Sequence, residues 1–241
     1  MGHPQRPRSR HGAGLPAVTP DRIIDAALRL TSELGLDNWT LRQLASKIEA
    51  SPAVVYHHVG DRDAVVCEVL DRVVYQVVTP PETLPWREWF AQSLDNHRDV
   101  LRRYPGTAYR LAMDGPPVKT AAVAIDLGVR LLQEAGFGAE SVLAYNVLLT
   151  TACQYIAMED APVRARATDI RDRNIQHYLT FQQRADLPGL AAVGSFVAGL
   201  VSGPDKMAEF YDDIFRYAVQ RCLDGMENRL AILADMARWT S

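Results

Sequence analysis

Cysteine is scarce in this chain: there are three in 241 residues, Cys67, Cys153 and Cys222, far apart and without CxxC or similar spacing. That argues against a disulfide framework and a structural zinc site, and it suits a reducing compartment. Proline and glycine are also few, 14 and 15, which leaves no room for a long structureless linker. The longest apolar run, 142–158, falls short of a membrane span, is broken by Asn146, Thr150, Thr151 and Gln154, and reads as a buried helix. Arg6, Arg8 and Arg10 precede no apolar segment of a secretory signal, so the expected location is the cytoplasm, with no membrane partner. There is no GxSxG, no HExxH, no phosphate-cradling glycine loop, and no histidine in a recognisable catalytic frame with cysteine or carboxylate. Catalysis, a cofactor and a bound metal are therefore not expected.

What is present is enough apolar material for a real core: 48% hydrophobic and 23% charged residues. The net charge of −3 conceals an asymmetry. Residues 1–62 carry eight Lys/Arg against six Asp/Glu, whereas the remainder carries 18 against 23, so the N-terminal end is the place to look for a polyanion partner.

Residues 1–18, rich in Pro, Gly, Arg and His and without periodicity, read as a disordered basic arm. Helical spacing follows throughout, and strand alternation appears nowhere. Thr19 suits an N-cap and Pro20 a first helical position, with Ile23, Ala27, Leu30, Thr31 and Leu34 on one stripe before Gly35. Thr40 caps a short second helix with Leu41, Leu44, Ala45 and Ile48 inward; Ser51-Pro52 opens a third to about Val59, and Asp61 a fourth to about Val78. Further helices are expected over 86–104, 105–113, 118–135, 140–158, 163–184 and 205–237, making an all-α chain of nine or ten helices.

Helices two and three, with the break Glu49-Ala50-Ser51-Pro52, have the length and turn of a helix-turn-helix whose third helix enters the major groove. Its outward residues Pro52, Ala53, Val54, Tyr56 and His58 include no carboxylate, which a phosphate-lined groove would repel. Small and apolar groups there suit thymine methyls.

The run 40–66, TLRQLASKIEASPAVVYHHVGDRDAVV, with Tyr56-His57-His58 ahead of a turn and a new helix, resembles the DNA-binding domain of the TetR family of bacterial transcriptional repressors. WREWF near Trp86, GFGAESVLAY at 136–145 and FRYAVQRCLDGMENRL at 215–230 resemble the ligand-binding domain of its tetracycline-repressor branch. The resemblance implies a double-stranded DNA operator, with Arg42 on a base edge, where its forked donors suit guanine, and Thr40, Ser51, Tyr56, His58 and Arg62 among the DNA contacts. His57 is expected to pack inward. The family usually has glycine where this chain has Glu49, a position of strain for any other residue if φ is positive.

The domains implied are 19–66 for DNA and 67–241 for ligand binding and dimerisation, with the fourth helix as the lever between them. The last helix repeats Tyr211, Ile214, Phe215, Ala218, Cys222, Met226, Leu230 and Leu233 at three- and four-residue steps. The resemblance pairs it and 140–158 with their counterparts in a homodimer, while the periodicity alone fits a monomer core equally. For a small-molecule effector the expected contacts are Trp89, Phe90, Ser93, His97 and Tyr104, then Tyr109, Arg110 and Met113, and finally Asn146, Thr150 and Gln154, a polar i, i+4, i+8 series in an apolar helix. Where tetracycline-binding relatives hold a metal-coordinating histidine, this chain has Arg110 or a neighbour within 109–113, so a magnesium-chelated tetracycline is not expected. Arg110 and His97 point instead to an anionic or hydrogen-bonding aromatic effector. The competing readings are a constitutive architectural DNA binder, which leaves the second domain idle, and an enzyme.

Overall fold

The computed structural model describes residues 17–160 and 165–240. Residues 1–16 of the basic arm and the first two of the helix expected from 163 lie outside them. Among the described residues there is no strand, and the chain divides between Val69 and Leu70 into two compact units.

The first unit contains α1 (Pro20–Leu34), α2 (Leu41–Lys47), α3 (Pro52–His58) and the start of α4 (Arg62–Val74). Thr19 Oγ1 accepts from the Arg22 amide at 3.2 Å, and Gly35, at φ 87°, closes α1 by donating to Thr31 O at 2.8 Å. Thr40 and Gln43 form a reciprocal capping box at the head of α2, satisfying two otherwise orphaned groups. The core is Ile23, Ala27, Leu30, Leu36, Trp39, Leu44, Ile48, Val55 and Val65. Its one buried polar knot is closed on itself: the Trp39 indole donates to Thr31 Oγ1 at 3.0 Å, and that hydroxyl donates to Ala27 O at 2.8 Å. Leu34, assigned to the inward stripe, is 37% exposed.

Glu49 is the only non-glycine residue with positive φ, 55°, among the described residues. The turn needs it, because the Ala50 amide must reach back to Ala45 O at 2.8 Å. A Cβ in this region costs roughly 1–2 kcal/mol, and the extra unfolded-state entropy of glycine returns part of that. Glu49→Gly is thus expected to stabilise the chain by about 0.5–1 kcal/mol, read as a higher urea midpoint. A lower midpoint would mean that contacts of the Glu49 side chain outweigh the backbone strain.

The second unit takes the end of α4, then α5 (Trp86–Leu101), α6 (Thr107–Asp114), α7 (Val118–Leu132), α8 (Ser141–Glu159), α9 (Ala165–Leu179), α10 (Pro188–Leu200) and α11 (Lys206–Thr240). α8 is central, packed by α5, α6, α7 and α11 through Ala144, Leu148, Leu149, Ala152, Cys153 and Ile156. Gly128 on α7 makes room for Tyr145 of α8: a Cβ there would lie 2.8 Å from the Tyr145 ring. By length and composition the stretch Lys119–Glu159 is long and apolar enough to cross a membrane, but Gly136 (φ 110°) breaks it into α7 and α8 through a π-turn, Gln133–Phe137.

Several boundaries differ from the sequence reading. α4 ends at Val74, where Gln76 and Val77 switch to i−3 acceptors. α5 ends at Leu101 for the same reason, with Arg103 and Tyr104 bonded to Val100 and Leu101. α9 stops at Leu179, and α10 was not expected at all. Its glycines at 189, 194 and 199 disfavour a helix, and its lack of a polar face removes the amphipathic period. Gly194 has its own reason: a Cβ would stand 2.6 Å from the Tyr178 carbonyl, so only glycine lets α10 lie against the end of α9.

An ion-pair knot ties three helices. Arg98 on α5 holds Glu159 of α8 at 2.5 Å and Asp212 of α11 at 2.8 Å, and its guanidinium stands 4.7 Å from the Phe215 ring centre. The Arg98 and Glu159 side chains are only 9% and 11% exposed.

Candidate functional site

The exposed face of the helix-turn-helix is built by what lies beneath it. Val55 is the buried residue of α3 and Leu44 and Ala45 those of α2, which turns Arg42 on α2 and Ser51, Pro52, Ala53, Tyr56 and His58 at α3 outward. Val54 is half-buried, and Tyr56 is 66% exposed. His57, expected to pack inward, is also exposed, its ring edge-on to His58 at 5.4 Å; Val55 and the half-buried Val59 occupy the inward positions instead. The face thus carries a guanidinium, two imidazoles and a phenol, and α3 has no carboxylate. An exposed aromatic flanked by cationic and neutral donors suits phosphate and base edges.

Two of the expected DNA contacts are engaged within the unit. The Thr40 hydroxyl bonds both the Gln43 amide and its side-chain oxygen. Arg62 donates to Leu36 O at 2.7 Å and Trp39 O at 3.3 Å, with its guanidinium 4.9 Å from the Trp39 ring centre. It clamps the α1–α2 loop to the head of α4, a role that its position alone in the sequence did not disclose.

In the second unit a cavity of about 230 Å³ opens between α5, α7 and α8, with the end of α4 at one side. From the expected contacts it takes Trp89, Phe90, Ser93 and His97. Tyr104, Tyr109, Arg110, Met113, Asn146, Thr150 and Gln154 are not in its lining. Tyr104 donates to Gln76 at 3.1 Å, Arg110 pairs with Asp114 at 3.2 Å, and Asn146 and Gln154 lie exposed on the outer side of α8. Unanticipated wall residues include Val74, Tyr75, Thr79, Leu94, Leu111, Thr120, Ala124, Tyr145 and Leu149. Trp89, Phe90 and Tyr145 stack edge-to-face at 4.9 and 6.0 Å.

The chemistry of this wall is neutral: none of its side chains is Asp, Glu, Lys or Arg. The Trp89 indole is committed to Pro80 O at 3.1 Å, and the Thr120 hydroxyl donates to Asp71 on α4. His97 bonds Ser93 O through Nδ1 at 2.7 Å, which requires Nδ1 to carry the proton. Burial lowers the His97 pKa below the ordinary histidine value despite that bond, and burial pushes the Tyr145 phenol up to about 12. Among the described residues no group of three His, Cys, Asp or Glu is arranged to hold a metal ion.

On the two long helices the outward residues differ from the expected interface set. Phe215 is 1% exposed and covered by Arg98, so it belongs to the chain's own core, and Ala218, Cys222 and Met226 are half-buried. α8 instead exposes Val142, Leu143, Val147 and Met158, and α11 exposes Tyr217, Ile232 and Met236.

Residues 23–69 match the family described as bacterial regulatory proteins, tetR family. An HTH-type transcriptional regulator of Saccharopolyspora erythraea is 30% identical over 198 residues, 81% of this chain and 80% of that protein. The class A tetracycline repressor from transposon 1721 in Escherichia coli is 30% identical over 143 residues, 55% of this chain and 62% of the repressor. Among solved structures, ActR of Streptomyces coelicolor in complex with actinorhodin is 25% identical, with a TM-score of 0.64 over 88% of this chain and 99% of ActR. The chain belongs to the TetR family: it is an all-α, DNA-binding transcriptional regulator and not an enzyme.

Proposed function

We propose that the chain is a cytoplasmic, homodimeric repressor that binds a palindromic operator and is released from it by a small molecule held in the α5–α7–α8 cavity. The observation that carries this reading is the outward face of α2 and α3, with Arg42, Tyr56, His57 and His58 exposed over a well-filled core. Domains for DNA over about 19–66 and for ligand and dimer beyond are part of the same proposal. A relative that binds actinorhodin, and others named for tetracycline, support a small-molecule effector.

Coupling follows from the wall of the cavity. Val74 lines it, and Asp71, one turn earlier on α4, accepts from the lining residue Thr120. A ligand that shifts Thr120 therefore acts on α4, which begins in the DNA-reading unit. By linkage it releases DNA only to the extent that it prefers the non-binding arrangement.

The dimer rests on the exposed apolar residues of α8, with Tyr217, Ile232 and Met236 of α11 and the half-buried Ala218, Cys222 and Met226 beside them. An apolar stripe of this kind on a long helix marks a surface for a partner. Sedimentation of the wild type at micromolar concentration is expected to give two chains per particle and two per operator, whereas Leu143→Glu gives monomers with operator affinity at least tenfold weaker. A monomeric wild type that binds its operator one chain at a time would overturn the dimer.

A further inference from the structure

We propose that the effector is a compact, uncharged aromatic compound that donates a hydrogen bond from a hydroxyl group to Nε2 of His97. The inference rests on the reading of the α5–α7–α8 cavity as the effector site and narrows its chemistry.

Three observations converge. First, no charged side chain lines the cavity, so an ionic ligand would leave water without a counter-charge, a heavy cost in an apolar enclosure. Arg110, the group that favoured an anion, is paired with Asp114 and lies outside the lining. Second, Trp89, Phe90 and Tyr145 present rings in an edge-to-face cluster, and Leu94, Leu111 and Leu149 complete a wall suited to a flat apolar body. The volume of about 230 Å³ lies below the roughly 300–1,000 Å³ usual for drug-sized ligands, so the body is small.

The third observation fixes the hydrogen bond. Two of the wall's donors, the Trp89 indole and the Thr120 hydroxyl, already serve Pro80 and Asp71, and the hydroxyls of Tyr75, Thr79, Ser93 and Tyr145 can donate or accept, whereas the imidazole of His97 offers the cavity an acceptor alone. Its Nδ1–H is spent on Ser93 O, 2.7 Å away along its own helix, so in the neutral ring Nε2 is an acceptor, and no described residue meets it. Burial keeps the ring neutral. A carboxylate or a bare carbonyl brings only acceptors to that nitrogen. A hydroxyl brings the missing proton.

The test titrates the full chain with three probes of one shape: 2-naphthol, 2-methoxynaphthalene and 2-naphthoate. The wild type is expected to bind 2-naphthol roughly tenfold or more tightly than either analogue, the discrimination of a hydrogen bond to a buried acceptor. His97→Phe removes that preference while retaining weak binding, and His97→Gln, whose side chain keeps an acceptor oxygen, preserves it. A third variant, Ala124→Phe, fills the cavity from α7 and abolishes binding of all three. Thermal melts of each variant report whether it is folded. Preference for 2-naphthoate, equal binding of all three probes, or a preference untouched by His97→Phe, with binding still lost in Ala124→Phe, overturns the hydroxyl–His97 pairing and leaves the cavity as the effector site. Binding that survives Ala124→Phe, or no binding by any probe, overturns the cavity assignment and the pairing with it.

Discussion

Arg98→Ala is expected to cost about 3–5 kcal/mol of folding stability, the usual loss when one partner of a buried ion pair is removed. Arg98 is nearly enclosed, and it serves Glu159, Asp212 and the face of Phe215 at once. Its loss leaves Glu159, 11% exposed, with Arg102 at 3.9 Å as the nearest remaining cation. At roughly 2–4 °C of melting temperature per kcal/mol for a chain of this size, the melt should move down by about 10 °C. The same reasoning predicts that the double variant Arg98→Met with Glu159→Met recovers part of the loss, because both buried ions are replaced by apolar groups and only Asp212, 39% exposed and 4.0 Å from Arg102, is left without Arg98. Urea melts of the three proteins check this. A single variant within 1 kcal/mol of wild type would mean that solvent screens the knot far more than its exposure implies.

Arg42→Ala should reduce affinity for the cognate operator by about 1–3 kcal/mol per half-site, and so by roughly 30-fold or more for a dimer, while leaving affinity for random DNA nearly unchanged. Arg42 is exposed on α2. Loss of a guanidinium that reads a base edge erodes the specificity ratio; loss of one that only meets phosphate weakens all sequences alike and lowers the salt slope by about one. Binding isotherms on cognate and scrambled duplexes across a salt series separate the two. Arg62→Ala provides the contrast: Arg62 holds Leu36 O and Trp39 O, so its substitution should show first as a lower melting temperature of the first unit.

The first unit was legible because each helix there carries its own punctuation. Thr19-Pro20, Gly35, Thr40 with Gln43, and Ser51-Pro52 mark ends chemically, and the short apolar stripes have one phase. Even the strained turn at Glu49 could be seen, since the residue type and the required φ conflict. α8 was legible as a helix but not in phase. It is apolar nearly all round, so the polar series Asn146, Thr150 and Gln154 looked like an inward stripe when two of its members are exposed among Val142, Leu143 and Val147. A helix packed on one side by its own chain, with an apolar surface on the other, carries no amphipathic signal to orient it. α10 escaped for a related reason, glycine-rich and without a polar face. The cavity was half legible: aromatic and polar residues recurring along α5 identified Trp89, Phe90, Ser93 and His97, while Tyr145, Thr120 and Leu149 arrive from helices whose juxtaposition is tertiary.

Whether paired helix-turn-helix units read a two-fold DNA site is decided by hydroxyl-radical footprinting on the DNA flanking the chain's own gene. The prediction is two protected half-sites about one helical turn apart, 34–36 Å centre to centre, persisting at physiological salt. Protection spread evenly along the duplex and lost as salt rises would contradict it, and would favour a constitutive architectural DNA binder.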